Sequence, residues 1–293
     1  MFKKSCFILL IAIHVVTSSP LETGAYNEDL ARYKMIAFAV SAYSDNPSSC
    51  TNNLGNNTIF IKQVTVGCDF VNDDTCSAYV AVDTESEAII IAHRGSGGGI
   101  QIAMEVIETL FDEKEAFPAG GNVARYFYDA WALVWNGGLR DVFLTVRNSN
   151  PNYKVWITGH SLGGAMASLT AANIGYHGYS PKEKIMAITF GEPRLGDESY
   201  ANAFDNLVGY SYRVVHRRDP VPHLPLMNML NYTHTKEEIF YDNDMSPGSP
   251  YSVCSRSDDT KDCSNKHFNF DIRDHSLYFK HLDYYIDQNC LNL

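Results

Sequence analysis

The sequence predicts an α/β fold, a mostly parallel sheet covered by helices on both faces. Three observations carry that expectation. Val155-Trp156-Ile157-Thr158 is an unbroken β-branched and aromatic run, as in a strand buried on both sides. An alanine-rich stretch follows (Ala165, Met166, Ala167, Leu169, Ala171, Ala172), and alanine is the best helix former. Ile185 to Phe190 and Tyr212 to Val215 are further buried-strand runs, so strands and helices alternate.

At the amino end, Lys3 and Lys4 precede an apolar run from Phe7 to Val16 and the small residues Thr17, Ser18 and Ser19. This is the pattern of a secretory signal peptide over 1–19. The apolar run is too short for a membrane span, which needs about twenty residues. Residues 20–293 are then expected to form one domain, a size that α/β folds reach undivided. Leu30, Tyr33, Ile36 and Val40 recur at helical spacing and predict a helix over 28–43. Strand-like runs lie around 59–66, 78–83 and 88–92, and Gly95 to Gly99 break the pattern. Residues 138–148 read as a helix stopped by Asn150 and Pro151.

The formal net charge is −11, and it becomes more negative once Lys3 and Lys4 leave with the signal. An acidic chain repels phosphate backbones on average, which argues against a nucleic-acid partner. Cys6 would leave too, and the even number of cysteines left in an exported chain points to disulfides. Cys68 is close in sequence to Cys76, and Cys254 to Cys263; Cys50 and Cys290 would then tie the two ends together, although many other pairings are open. Asn56 and Asn231 each open an N-x-T glycosylation acceptor. No C-x-x-C or H-E-x-x-H spacing occurs, so neither a metal nor another cofactor is expected.

Directly after the strand ending at Thr158 comes Gly159-His160-Ser161-Leu162-Gly163-Gly164. A G-x-S-x-G pattern alone is a weak signal. Between a buried strand and a small-residue helix it has the context of a nucleophile elbow, a strained turn that lifts a serine hydroxyl above the sheet. Gly159 and Gly163 remove the side chains that would clash in such a turn. A serine there needs an imidazole to take its proton, and that imidazole needs a carboxylate. The elbow order is serine, then Asp or Glu, then His. Asp219 follows a strand, at the sheet edge where α/β folds place their sites. Beyond it stand His223, His234, His267, His275 and His281, and periodicity does not choose among them.

Four segments carry a resemblance. Besides the elbow they are His93-Arg94-Gly95-Ser96, Phe190-Gly191-Glu192-Pro193-Arg194-Leu195-Gly196, the run Asp219 to Pro225, and Asp274-His275-Ser276-Leu277-Tyr278-Phe279. In this order they resemble the class 3 lipases, a secreted family typified by fungal triacylglycerol lipases and represented in nematodes, over about residues 30 to 290. The resemblance implies an α/β-hydrolase fold with a helical lid. It implies Ser161 as nucleophile, His275 as base, Asp219 as its carboxylate, and the backbone amides of Leu162 and Ser96 as an oxyanion hole. His93 departs from it, standing where an apolar or aromatic residue is common, which reads as a packing variation.

Behind Gly97-Gly98-Gly99, residues Ile100, Met104 and Ile107 share one helical face opposite Gln101, Glu105 and Glu108. Beside the oxyanion loop, an amphipathic helix over about 97–112 is suited to cover an apolar cleft and swing away. The resemblance thus implies a lipid-ester hydrolase, a triacylglycerol lipase first, with a phospholipase A1 or an aryl-ester (feruloyl-type) esterase as alternatives. The partner would be a lipid substrate at an oil–water interface, without a transmembrane anchor. A non-catalytic lipid-binding relative is the rival of another class; its mark, a missing triad residue, is not seen.

Overall fold

The computed structural model describes residues 25–55, 57–68, 75–96, 113–226, 229–255 and 263–291. The proposed signal peptide, the 97–112 stretch with Ile100, Met104 and Ile107, and Asn56 lie outside them. A sheet of eight strands organises the described chain, in the spatial order β1 to β8. They are β1 (Thr58–Gly67), β2 (Thr75–Asp83), β3 (Ala88–His93), β4 (Lys154–His160), β5 (Ile185–Phe190), β6 (Tyr210–His216), β7 (Glu238–Tyr241) and β8 (Ser252–Cys254). Pairing is parallel from β3 through β7 and antiparallel at the two edges. The expectation of a mostly parallel sheet holds for its centre.

Side chains alternate across a strand, so each central strand feeds two cores. Ile89 and Ile91 of β3 pack on one face, with Val155 and Ile157 of β4. Ile90 and Ala92 point to the other, with Trp156. The first face is covered by helices α2 (Arg125–Val134), α3 (Arg140–Ser149) and α4 (Leu162–Tyr176), through Phe127, Trp131, Phe143 and Leu169. The second is covered by α1, residues 28–41, through Ile36, Phe38 and Val40, and by a C-terminal helix, Leu282–Asp287, through Tyr285. Each fully buried isoleucine contributes roughly 1.5–3 kcal/mol. Helix α4 is buried from Leu162 to Ile174. A helix enclosed on all sides has no polar face, which explains its run of alanine and glycine.

Some boundaries differ from expectation. The predicted 28–43 helix stops at Ser41 and contains a π turn over Ala31–Met35. The predicted 138–148 helix starts at Arg140, because Gly138 has φ 131° and kinks the chain away from α2. Helices α2 and α5 (Glu198–Leu207) and strands β7 and β8 occupy stretches with no assignment from sequence.

The cysteines pair as Cys50–Cys290, Cys68–Cys76 and Cys254–Cys263. The first joins the segment after α1 to the segment after the C-terminal helix across 240 residues, so it removes the most freedom from the unfolded chain, about 5 kcal/mol on loop-closure entropy.

Candidate active site

Strand β4 ends at His160, and the chain turns at Ser161 into α4. Ser161 has φ 58° and ψ −130°, a conformation that side-chain-bearing residues rarely adopt. Such a residue costs of order 1–3 kcal/mol and persists only where its surroundings impose it. Here close backbone packing imposes it. A Cβ at Gly159 would lie 2.1 Å from the Gly163 carbonyl oxygen, and one at Gly163 would lie 2.4 Å from that of His93. The Ser161 amide donates to the Phe190 carbonyl at 2.9 Å, which fastens the turn to the end of β5. The first-turn amide of Leu162 has no partner within the helix. Gly163 also packs against Arg94 and the Gly95 amide nitrogen, so the loop that carries Ser96 lies against the start of α4.

The candidate carboxylate and base come from two distant loops. Asp219 follows β6 by three residues and is wholly buried. Its Oδ1 accepts from the Val221 amide at 2.9 Å. Its Oδ2 accepts from Tyr278 Oη at 2.5 Å and from His275 Nδ1 at 2.8 Å. Burial alone would raise its pKa, but the His275 charge and these three donors outweigh burial and hold it below the ordinary aspartate value. An ionised Asp219 accepts only, so Nδ1 of His275 donates to it and Nε2 is the nitrogen left to face the nucleophile. His275 lies in a 3-10 turn, Ile272–Ser276, and is 1% exposed.

Ser161 Oγ and His275 Nε2 are both buried, and neither has a hydrogen-bond partner among the described residues. They flank the same short segment. Ser161 is bonded to Phe190 O, and a Cβ on the next residue, Gly191, would meet His275 Cε1 and Nδ1 at 2.8 and 2.9 Å. Gly191, with φ 59°, is therefore the thin spacer that lets the imidazole approach the elbow.

The other four histidines are engaged elsewhere. His223 donates to Asn265 Oδ1 and packs against the Phe270 ring, and His234 donates to the Pro222 carbonyl. His267 pairs with Asp242, and His281 caps the C-terminal helix. Arg218 pairs with Asp271 and Asp274 and not with Asp219. His93 is fully buried, with Nε2 2.8 Å from Thr170 Oγ1, and burial drives its pKa down to about 3, so it packs as a neutral ring. Asn231 is exposed beside the buried Tyr232.

Three residues had no role in the sequence reading. Tyr278 stands at i+3 from His275 in the quoted motif, yet nothing there marked its hydroxyl as a donor to Asp219. Glu192 packs against Gly164 and accepts from Ser168 Oγ at 2.6 Å and Thr189 Oγ1 at 2.5 Å; burial raises its pKa to about 7. Tyr43 bonds the elbow residue His160.

Known proteins share this arrangement of chain. The sequence profile of lipase (class 3) matches residues 90–229. A Caenorhabditis elegans lipase is 34% identical over 258 residues, 80% of this chain and 71% of that protein. A secreted mono- and diacylglycerol lipase of Fusarium solani is 34% identical over 166 residues, 56% of this chain and 47% of its own length. The chain thus spans about half of that fungal relative. The solved structure of the Rhizomucor miehei triacylglyceride lipase superposes with a TM-score of 0.73 at 26% identity, covering 88% of this chain and 96% of that one. A strained serine between a buried strand and a buried helix, and this extended similarity to the nematode lipase, lead to one statement of kinship: the chain belongs to the class 3 lipase family.

Proposed function

We propose that the protein is a secreted lipase that hydrolyses acylglycerols through an acyl-enzyme on Ser161. The observation that carries this reading is the buried Asp219–His275 pair, with His275 Nε2 and the hydroxyl of the strained Ser161 both buried and unpaired among the described residues. His275 Nε2 takes the proton as Ser161 Oγ attacks the ester carbonyl carbon. The carbonyl oxygen becomes an anion, for which the amides of Leu162 and Ser96 are the proposed donors. The imidazolium, stabilised by Asp219, then gives its proton to the departing alcohol. Water, deprotonated by the same nitrogen, releases the fatty acid. The kinship supports an acylglycerol substrate. The three disulfides support export, since such bonds persist in oxidising compartments.

Hydrolysis of triolein, monoolein, phosphatidylcholine and methyl ferulate by the wild type and Ser161→Ala tests the reading. The acylglycerols should be the preferred substrates. The variant should keep its fold and lose about 10⁴-fold or more in kcat. Equal turnover by the two proteins would remove Ser161 from the mechanism.

A further inference from the structure

Two side chains outside the Ser161–His275–Asp219 set, Tyr43 and His160, form a continuous chain across the site. His160 is 2% exposed, and its Nε2 lies 2.9 Å from the backbone carbonyl oxygen of His275. A carbonyl only accepts, so Nε2 of His160 carries a proton and donates. Burial, together with the neighbouring His275, lowers the His160 pKa to about 3, so the ring is neutral and its Nδ1 is a bare acceptor. The group 2.9 Å from Nδ1 is Tyr43 Oη, which must therefore donate. Burial raises the Tyr43 pKa and keeps the phenol protonated, and its oxygen lies against the backbone of Gly95. Direction, tautomer and charge are thus set on both sides of the His160 ring, and Tyr43 Oη also reaches the His160 carbonyl at 3.5 Å.

The ends of this chain are informative. Gly95 precedes Ser96, the proposed oxyanion donor. His160 is covalently joined to Ser161. The far end is the main chain of His275, whose side chain is held separately by Asp219. The His160 ring also lies against the His275 ring, with centroids 4.4 Å apart. A Cβ at Gly95 would fall 2.0 Å from Tyr43 Oη, so this position needs a residue without a side chain to let the phenol in.

We infer that Tyr43 and His160 are positioning residues, a neutral strut that fixes the oxyanion loop, the nucleophile elbow and the backbone of the base at one mutual distance. The inference rests on the ester-hydrolase reading and deepens it. His160 neither takes nor gives a proton in turnover; it holds the main chain of the residue that does. Small misplacements of reacting groups are expensive, on the order of a hundredfold for about 1 Å. Loss of the strut should therefore appear in kcat, since substrate binding does not need the three parts in register.

Tyr43→Phe is the first variant, because it removes one oxygen and keeps the ring. It should lower kcat about ten- to a hundredfold with KM changed less than about twofold. His160→Phe breaks both links and should lose at least as much. His160→Gln can still donate to the His275 carbonyl and should recover part of that loss. The double variant Tyr43→Phe/His160→Phe should be no worse than His160→Phe alone, because one break already opens the chain. Unchanged kcat in Tyr43→Phe, or losses that multiply in the double variant, would overturn the strut while an active wild type leaves the ester-hydrolase reading standing. A folded wild type inert toward every ester would overturn both.

Discussion

Ser161 sits in a turn whose shape is set by side chains that are absent, whereas His275 sits in a turn whose place is set by the side chains around it. At the elbow, Gly159 and Gly163 let backbone touch backbone, and Ser161 is forced to φ 58°. The acid–base arm is tight only at Gly191, and hydrogen bonds hold the rest of it. Its two loops are joined by the Asp219–His275 bond and by Tyr278 to Asp219, and His160 ties the base's loop to the elbow through the His275 carbonyl. One half of the site is a steric object encoded within six consecutive residues. The other is a hydrogen-bonded object assembled from segments 56 residues apart.

The two halves should therefore break differently. The largest effect is expected at the elbow. Gly163→Ala puts a methyl 2.4 Å from the His93 carbonyl oxygen and 2.9 Å from the Arg94 carbonyl carbon, and neither atom can yield without moving the end of β3. Urea unfolding should show a loss of roughly 3 kcal/mol or more, in the range of severe backbone conflicts. A loss below about 1 kcal/mol would mean that the elbow is not sterically determined.

In the arm, a single bond can be removed without a clash. Tyr278→Phe deletes one of three donors to a buried carboxylate, and hydrogen bonds to charged groups contribute about 1.5–3 kcal/mol. The ring keeps its packing against Phe190. The expected result is a kcat about tenfold lower on a protein that melts as one cooperative unit. A larger loss of stability than in Gly163→Ala would reverse the comparison.

Glu192 lies between the halves as well, since it follows Gly191 beside His275 and packs on Gly164 of the elbow. Its folded pKa is raised to about 7 from 4.5. Between those values the folded protein holds more protons than the unfolded chain, so stability should fall as pH rises and be lowest above about 7. The penalty is a few kcal/mol at 1.36 kcal/mol per unit. Glu192→Gln should flatten the dependence of Tm on pH between about 5 and 8, and should be the more stable protein at the alkaline end. Parallel pH curves for the two proteins would place the carboxyl's ionisation elsewhere.

The same contrast explains what could be read in advance. The run from Val155 through Ala172 was legible because strand, glycines, serine and helix are neighbours in sequence and their requirements are local. Helix α2 carries a local signal too, with Phe127, Ala130, Trp131 and Val134 on one face. Strand β8 was harder: it is a three-residue edge strand whose Val253 is 56% exposed, so burial leaves little pattern. Asp219 and His275 came from resemblance. Without the resemblance, nothing in the residues around His275 sets it apart from His223 or His234; its bond to Asp219 and its approach to Gly191 are made only in the fold. His160 shows the opposite limit. It was quoted as part of the elbow, and its bonds to Tyr43 and to the His275 carbonyl span 117 and 115 residues.

The central claim is that Asp219 and His275 make Ser161, and no other serine, a nucleophile. Reaction with a fluorophosphonate followed by peptide mapping measures this directly, in the wild type and in Asp219→Asn. The account predicts a single adduct on Ser161 in the wild type, forming orders of magnitude more slowly in the variant. An adduct on a different residue, or equal rates in the two proteins, would contradict it.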